Sequence, residues 1–245
     1  QTHKWPSTKA TTDATYALLL SGSNWTNSSE NIEVKVGKTK IRPSELNSAQ
    51  PEAGTGYYKT TWSAEAIEKN MADVTLSKTD KGIAWGALYW QYFEDLDKIT
   101  SAETALQLKK ELYIKRFTER GEVLAEIDEQ KKLKVGDIMT VRLIITNDRQ
   151  MEFIHLKDMR ASGLEPVDTV SSYKWQDALG YYQTTKDASM HFFFDVLPKG
   201  TFVIEYDVKV SHSGEMSNGI GILGNMYAPE FSTHSNGIQL HIERP

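Results

Sequence analysis

Between Phe202 and Ser211 the chain alternates without a break, with Phe202, Ile204, Tyr206, Val208 and Val210 on one side and Val203, Glu205, Asp207, Lys209 and Ser211 on the other. Side chains of a strand point alternately to opposite faces, so this period of two specifies a β-strand buried on one face and excludes an amphipathic helix. The same grammar recurs upstream. Leu106, Leu108, Leu112 and Ile114 share a face opposite Lys109, Glu111, Tyr113 and Lys115, while Met139, Val141, Leu143 and Ile145 alternate with Thr140, Arg142 and Ile144. Asn147-Asp148-Arg149-Gln150 reads as a turn before Phe153-Ile154-His155-Leu156, and Leu197-Pro198-Lys199-Gly200 as another, with Pro second and Gly fourth. A last strand runs from Ile238 to Ile242. Regular strands with turn signals and no helical punctuation predict an antiparallel β-sandwich over residues 105–245.

The first hundred residues read differently. Thr11, Thr12 and Asp13 offer capping oxygens, Ala14, Ala17 and Leu18 fall at helical spacing, and Gly22 can end the helix. One short helix cannot bury its apolar face alone, so it either docks on β structure or ends a helical domain lying upstream. Ile32-Glu33-Val34-Lys35-Val36 is an alternating strand in a Ser, Asn and Gly-rich setting. Val74 and Leu76, a turn at Thr79-Asp80-Lys81-Gly82, and Trp85 to Phe93 as an aromatic strand read as a hairpin. The acidic and Ser-containing stretch Glu94 to Glu103 is the natural joint before the sandwich.

Composition removes whole classes of function. The 245 residues carry 28 Lys+Arg against 33 Asp+Glu, which leaves no basic footprint for nucleic acid or an anionic membrane. With 0 cysteines there is no disulfide, thiol nucleophile or thiolate metal site. The chain opens on Gln1, and a larger parent protein is expected. His155, His191, His212, His234 and His241 form no His-Glu-x-x-His or His-x-His cluster, so surface or packed histidine is the expected role. No Gly-x-Ser-x-Gly elbow or phosphate loop occurs, and Glu94, Asp95 and Asp97 lack the glycine turn and distal glutamate of a calcium loop. Asn24-Trp25-Thr26 and Asn27-Ser28-Ser29 match the glycosylation pattern, a short signal that occurs by chance. No catalytic, cofactor or metal residue is expected, and the chain is expected not to be an enzyme.

The run from Gly219 to Ser235 sets glycines beside the apolar, Pro-stiffened knuckle Met226-Tyr227-Ala228-Pro229-Glu230-Phe231. Glycine permits close backbone approach, Met gives adaptable contact, and Tyr and Phe give rigid apolar area. Two readings are open: a surface that presses on another body, or a loop folded onto its own sandwich.

Three blocks carry a resemblance. They are Trp5-Pro6-Ser7-Thr8-Lys9-Ala10-Thr11 with Tyr16-Ala17-Leu18-Leu19, Ala84 to Tyr92, and the stretch from Leu156 to Ser235, which contains Gly163-Leu164-Glu165-Pro166, Gly180-Tyr181-Tyr182, Leu197-Pro198-Lys199-Gly200 and the knuckle. In that order they resemble the C-terminal portion of bacterial alpha-2-macroglobulins. The resemblance implies that residues 1–22 end a thioester-type helical domain, 23–104 form part of a CUB-like β region, and 105–245 form the terminal macroglobulin-like β-sandwich. It further implies a non-catalytic module of a protease inhibitor of the periplasm or cell envelope. Its partners would be upstream domains of the parent chain and, for the parent, target proteases, with a membrane reached only through a distant lipid anchor. Met226 and Tyr227, supported by Pro229, Glu230 and Phe231, would shield the thioester from water. Since the chain has no cysteine, any thioester lies upstream in the parent or is missing from it. A rival reading is a carbohydrate-binding or adhesive sandwich using Trp175, Tyr181 and Tyr182 as stacking platforms.

Overall fold

The computed structural model describes residues 5–21, 32–42, 59–79, 86–102, 104–119, 121–127 and 133–244. The expected turn residues Asp80 to Gly82 and both glycosylation-type patterns lie outside them. The chain divides into two compact units, residues 5–91 and 92–245.

In the first unit, helix α1 spans Thr8–Ser21. Its cap lies one turn earlier than the sequence suggested: the Ala10 N–H donates to Ser7 Oγ at 3.2 Å. The hydroxyls of Thr11 and Thr12 instead donate back to the carbonyls of Ser7 and Thr8, as threonines inside a helix do. No residue of α1 is buried, and Tyr16, Leu18, Leu19 and Leu20 are exposed. Strands β1 (Ile32–Val36), β2 (Thr39–Ile41) and β3 (Val74–Lys78) form an antiparallel sheet in the order β2-β1-β3. Gly37 makes the tight β1–β2 turn at φ +59°, where any Cβ would strike Asn70. Val36, Ile41 and Met71, with Val34 and Trp62 against them, form a small core. The expected aromatic strand does not form among the described residues of this stretch, which begin at Gly86 and leave Trp85 outside. Residues 86–93 form no strand, and β3 pairs with β1, from Val36 opposite Val74 to Ile32 opposite Lys78. An apolar run without alternation holds no register information, and Leu88, Tyr89, Trp90, Tyr92 and Phe93 are exposed.

The second unit holds β4 (Leu106–Thr118), β5 (Gly121–Glu126), β6 (Leu133–Lys134), β7 (Ile138–Asn147), β8 (Met151–Met159), β9 (Leu164–Pro166) and β10 (Ser172–Gln176). Then come β11 (Leu179–Lys186), β12 (Ser189–Leu197), β13 (Gly200–Val210), β14 (Gly214–Ser217), β15 (Gly221–Asn225), β16 (Ser232–His234) and β17 (Gln239–Glu243). Among the described residues, one sheet runs β5-β4-β7-β13-β9 and a second β10-β11-β12-β8-β15-β16. A smaller sheet, β14-β17-β6, joins the terminal strand to β6 in parallel. The inward faces of the two large sheets meet in one core. Leu106, Ile114, Met139, Val141, Leu143, Ile145, Ile204 and Val208 come from the first, and Ile154, Leu156, Tyr181, Phe192, Phe194 and Leu223 from the second. This is the mostly β, antiparallel sandwich that the alternation required.

Both predicted turns cross between sheets. Asn147 to Gln150 carries the chain from β7 to β8, Leu197 to Gly200 from β12 to β13, and Asn147 Nδ2 ties them by donating to the carbonyls of Leu197 and Pro198 at 3.2 Å each. The edge of β13 not covered by β9 is capped by side chains. Gln176 accepts from Glu205 N–H at 2.8 Å and donates to Glu205 C=O at 3.0 Å, while Asp177 accepts from Val203 N–H at 2.9 Å. A primary amide thereby stands in for a strand backbone and satisfies groups that would otherwise invite pairing with another chain.

Candidate functional site

The knuckle is the hairpin loop between β15 and β16. Its base is built by Asn225, 5 % exposed, whose Oδ1 accepts from the N–H groups of Tyr227 and Ala228 at 2.9 Å each and whose Nδ2 donates to Glu152 C=O at 2.9 Å. Such a side-chain turn is what asparagine supplies where the backbone must leave a strand. Met226 N–H donates to Phe153 C=O at 3.0 Å, Phe231 N–H to Ala228 C=O at 2.9 Å, and Asn225 N–H to Phe231 C=O at 3.0 Å. Of the five expected site residues, Met226 is 57 % and Tyr227 67 % exposed, Pro229 and Glu230 are exposed, and Phe231 is half-buried against the core. The Arg149 guanidinium lies 5.7 Å from the Phe231 ring centroid. The tip is therefore rigidly held from below and open above.

The outer faces of the two large sheets differ in kind. On the five-stranded sheet Lys115 pairs with Asp207 at 2.7 Å and Glu122 at 3.0 Å, and Arg142 with Glu205 at 2.6 Å while lying over the Tyr113 ring. A hydrogen bond from Lys109, then one from Tyr113, holds the Glu111 carboxyl below its usual range. This is a solvated, charge-paired surface. On the six-stranded sheet the register lines up Tyr173, Tyr182, Phe193, His155 and Gly224 across five strands. The rings of Tyr173 and Tyr182 are 5.1 Å apart and those of Phe193 and His155 4.6 Å. Trp175 lies on its register partner Gly180, where a Cβ would meet the indole at 3.0 Å. The aromatic row ends beside the knuckle.

Within that row His155 Nε2 sits 2.9 Å from His191 Nδ1, and His191 Nε2 2.9 Å from Ser189 Oγ. Burial, then His191 and Lys157, holds the His155 imidazole below its ordinary pKa, and burial with Lys157 and Lys186 does the same to His191. The order hydroxyl, imidazole, imidazole is that of an activated nucleophile, but Ser189 is 6 % exposed and is not presented to a substrate. Among the described residues no group of three or more His, Cys, Asp or Glu side chains could hold a metal ion. Tyr181, expected as an exposed platform, is 1 % exposed and packs against Phe192 and Phe194. Only Trp175 and Tyr182 of that set face outward.

One constellation escaped the sequence reading. Lys110 on β4 and Asp158 on β8, with side chains 1 % and 0 % exposed, meet at 2.7 Å between the sheets. Tyr206 on β13 donates its hydroxyl to Asp158 Oδ2 at 2.5 Å. Burial, then the Asp158 charge, pushes the Tyr206 phenol well above its ordinary range, so it stays a donor. The signal was available: a lysine and an aspartate sit at inward positions of otherwise apolar strand faces.

The sequence matches the family model described as the bacterial alpha-2-macroglobulin MG10 domain over residues 106–230, about half of the chain and the greater part of the sandwich. The chain belongs to the bacterial alpha-2-macroglobulin family. Solved structures of bacterial alpha-2-macroglobulins are similar at low identity. One is Salmonella alpha-2-macroglobulin reacted with methylamine, at 15 % identity and TM-score 0.47, with 60 % of this chain and 10 % of that chain covered. Another is native Escherichia coli alpha-2-macroglobulin from domain MG7 to the C-terminus, at 14 % and 0.46, with 59 % and 24 % covered. A third is trypsin-activated Escherichia coli alpha-2-macroglobulin, at 14 % and 0.46, with 60 % and 11 % covered. The chain thus spans a quarter or less of the length of these alpha-2-macroglobulin chains. No curated protein matches. The MG10 match contains the first five residues of the knuckle, Met226 to Glu230, together with Lys110, Asp158, His155 and His191. No helix among the described residues is long and apolar enough to cross a membrane.

Proposed function

We propose that this chain is the non-catalytic C-terminal part of a bacterial alpha-2-macroglobulin-type protease inhibitor, and that its knuckle packs on an upstream thioester-type domain and keeps water and amines from the reactive bond. In this reading residues 1–22 end that helical domain, 23–104 belong to a CUB-like region, and 105–245 are the terminal sandwich. The parent acts in the periplasm or cell envelope, anchored if at all by lipid far from this piece, and captures attacking proteases.

The observation that carries the reading is the exposure of Met226 and Tyr227 on a turn whose base is fully hydrogen-bonded. A loop that merely sealed its own core would turn these side chains inward. A thioester persists only where nucleophiles are excluded, and an apolar lid on a preorganised turn suits that task. The test uses the parent protein. Replacing Met226 and Tyr227 by Ala is expected to speed thioester inactivation by methylamine about tenfold, equivalent to ~1.4 kcal/mol of lost covering contact. Unchanged amine reactivity, or a parent without an amine-reactive thioester, removes the shielding role.

A further inference from the structure

The docking role leaves the Lys110–Asp158–Tyr206 constellation without a task. Lys110 belongs to the five-stranded sheet and Asp158 to the six-stranded one, so their contact spans the sandwich. Nζ lies 2.7 Å from Oδ1, with Met159 C=O at 2.7 Å and the carbonyls of Asn218 and Gly219 at 3.4 and 3.5 Å as its other acceptors. Gly221 keeps the site open, since a Cβ there would lie 3.3 Å from Asp158 Oδ1 and 2.8 Å from Leu108. An amine and a carboxyl group fixed in contact are at very high effective concentration. In a dry interior the water released on condensation leaves for bulk solvent, and the amide formed is sealed from hydrolysis.

We propose that Lys110 and Asp158 condense into an intramolecular isopeptide bond that staples the two sheets together. One proton passes from Nζ to Oδ1 along their hydrogen bond, converting the ion pair into amine and acid. The nitrogen lone pair forms a bond to Cγ. Negative charge develops on Oδ2, where the Tyr206 hydroxyl already donates. A second proton passes from the nitrogen to Oδ1, the Cγ–Oδ1 bond breaks, and Oδ1 departs as water. Oδ2 becomes the amide oxygen, still held by Tyr206, and the single remaining N–H has Met159 C=O as its acceptor. Nothing is oxidised or reduced, and no co-reactant is needed. The reaction also replaces two buried charges, which are costly to desolvate, by one neutral amide.

The experiment is a mass measurement on the folded 245-residue chain after incubation near neutral pH. The expected result is a chain one water lighter than its sequence. Trypsin is expected to leave a branched peptide joining residues 110–115 to residues 158–160, because acylated Lys110 is no longer a cleavage site. The denatured chain should also migrate as a compact, looped species, which no disulfide can mimic because the chain has no cysteine. Lys110→Arg should have the full mass. Asp158→Asn should form the same bond with loss of ammonia, and Tyr206→Phe should form it about 10²-fold more slowly. An unsubstituted 245-residue chain that keeps its full sequence mass, cleaves normally at Lys110 and yields no branched peptide overturns the proposal. Condensation in Tyr206→Phe at the rate of the unsubstituted chain overturns the part given to Tyr206.

Discussion

Tyr227 stands edge-on against Phe153, with ring centroids 5.3 Å apart and planes at 86°. Phe153 reaches this position from a left-handed backbone at φ +56°, which bulky residues seldom adopt and which stores ~1–3 kcal/mol. The strain is held by the buried neighbours Met151 and Ile154 and by the bond from Met226 N–H to the Phe153 carbonyl. In Phe153→Gly the relieved strain and the lost ring contacts act in opposite directions. Urea unfolding of the variant should therefore stay within about 1 kcal/mol of the unsubstituted chain. Under the proposed shielding role, the amine sensitivity of the larger protein carrying this variant should nonetheless rise as for Tyr227→Ala. A loss beyond ~3 kcal/mol would assign Phe153 to the core rather than to the knuckle.

Asn225 separates folding from the proposed covering role. Its side chain makes three hydrogen bonds to backbone groups, and Ala would leave two loop N–H groups and the Glu152 carbonyl to find other partners. The expected cost of Asn225→Ala is about 2–3 kcal/mol in urea unfolding. Met226→Ala should stay within ~0.5 kcal/mol, because that side chain is already largely in water, while Tyr227→Ala also gives up the edge contact with Phe153 and should cost about 0.5–1.5 kcal/mol. Equal destabilisation by all three would mean that the tip is structural.

How much of this was legible follows from where the information lies in the chain. The strands of the sandwich were readable because Leu106, Leu108 and Ile114, or Ile204, Tyr206 and Val208, repeat at the spacing the pleat imposes. Pairing was not readable, because β3 takes β1 as its neighbour across some forty residues and no local pattern names a partner that distant. Tyr181 and Tyr182 look alike in composition, yet Leu179 and Gln183 share the parity of Tyr181 and place it in the core. Lys110 sits between Leu108 and Leu112 on the inward parity, and Asp158 follows Ile154 and Leu156 in the same way. Each misplaced charge was visible alone, but only the crossing of two sheets shows that they meet. The knuckle was legible as composition, while its support by Asn225 and Phe153 belongs to tertiary structure.

The β10–β11 turn invites a stabilising change. Asp177 and Ala178 both have positive φ, +49° and +59°, the pair of conformations that a two-residue hairpin turn demands. Aspartate tolerates this conformation, but alanine has a Cβ that crowds the following carbonyl. Ala178→Gly should raise stability by roughly 0.5–1 kcal/mol, read as a shift of the urea midpoint at unchanged slope. A destabilised variant would show that this turn is not strained in solution.

Acid should loosen the sandwich through His155 and His191 before its carboxylates titrate. Both imidazoles are held below the ordinary value of 6.5, first by burial and then by neighbouring positive groups, His191 and Lys157 for the one and Lys157 and Lys186 for the other. A depressed pKa in the fold means that the unfolded chain binds the proton more readily, so stability rises with pH across the interval between the two values. The contribution is fully present above about pH 6.5 and is lost as the pH falls toward the folded-state pKa values. Paired carboxylates such as Glu111 and Asp168, held low by Lys109 and Lys174, titrate further down and leave this window to the histidines. Urea midpoints measured between about pH 7.5 and 5 should decline below 6.5, and the double variant His155→Gln, His191→Gln should flatten that limb. An unsubstituted chain whose midpoint rises on acidification would show that the pair gains a proton on folding and that burial does not govern it.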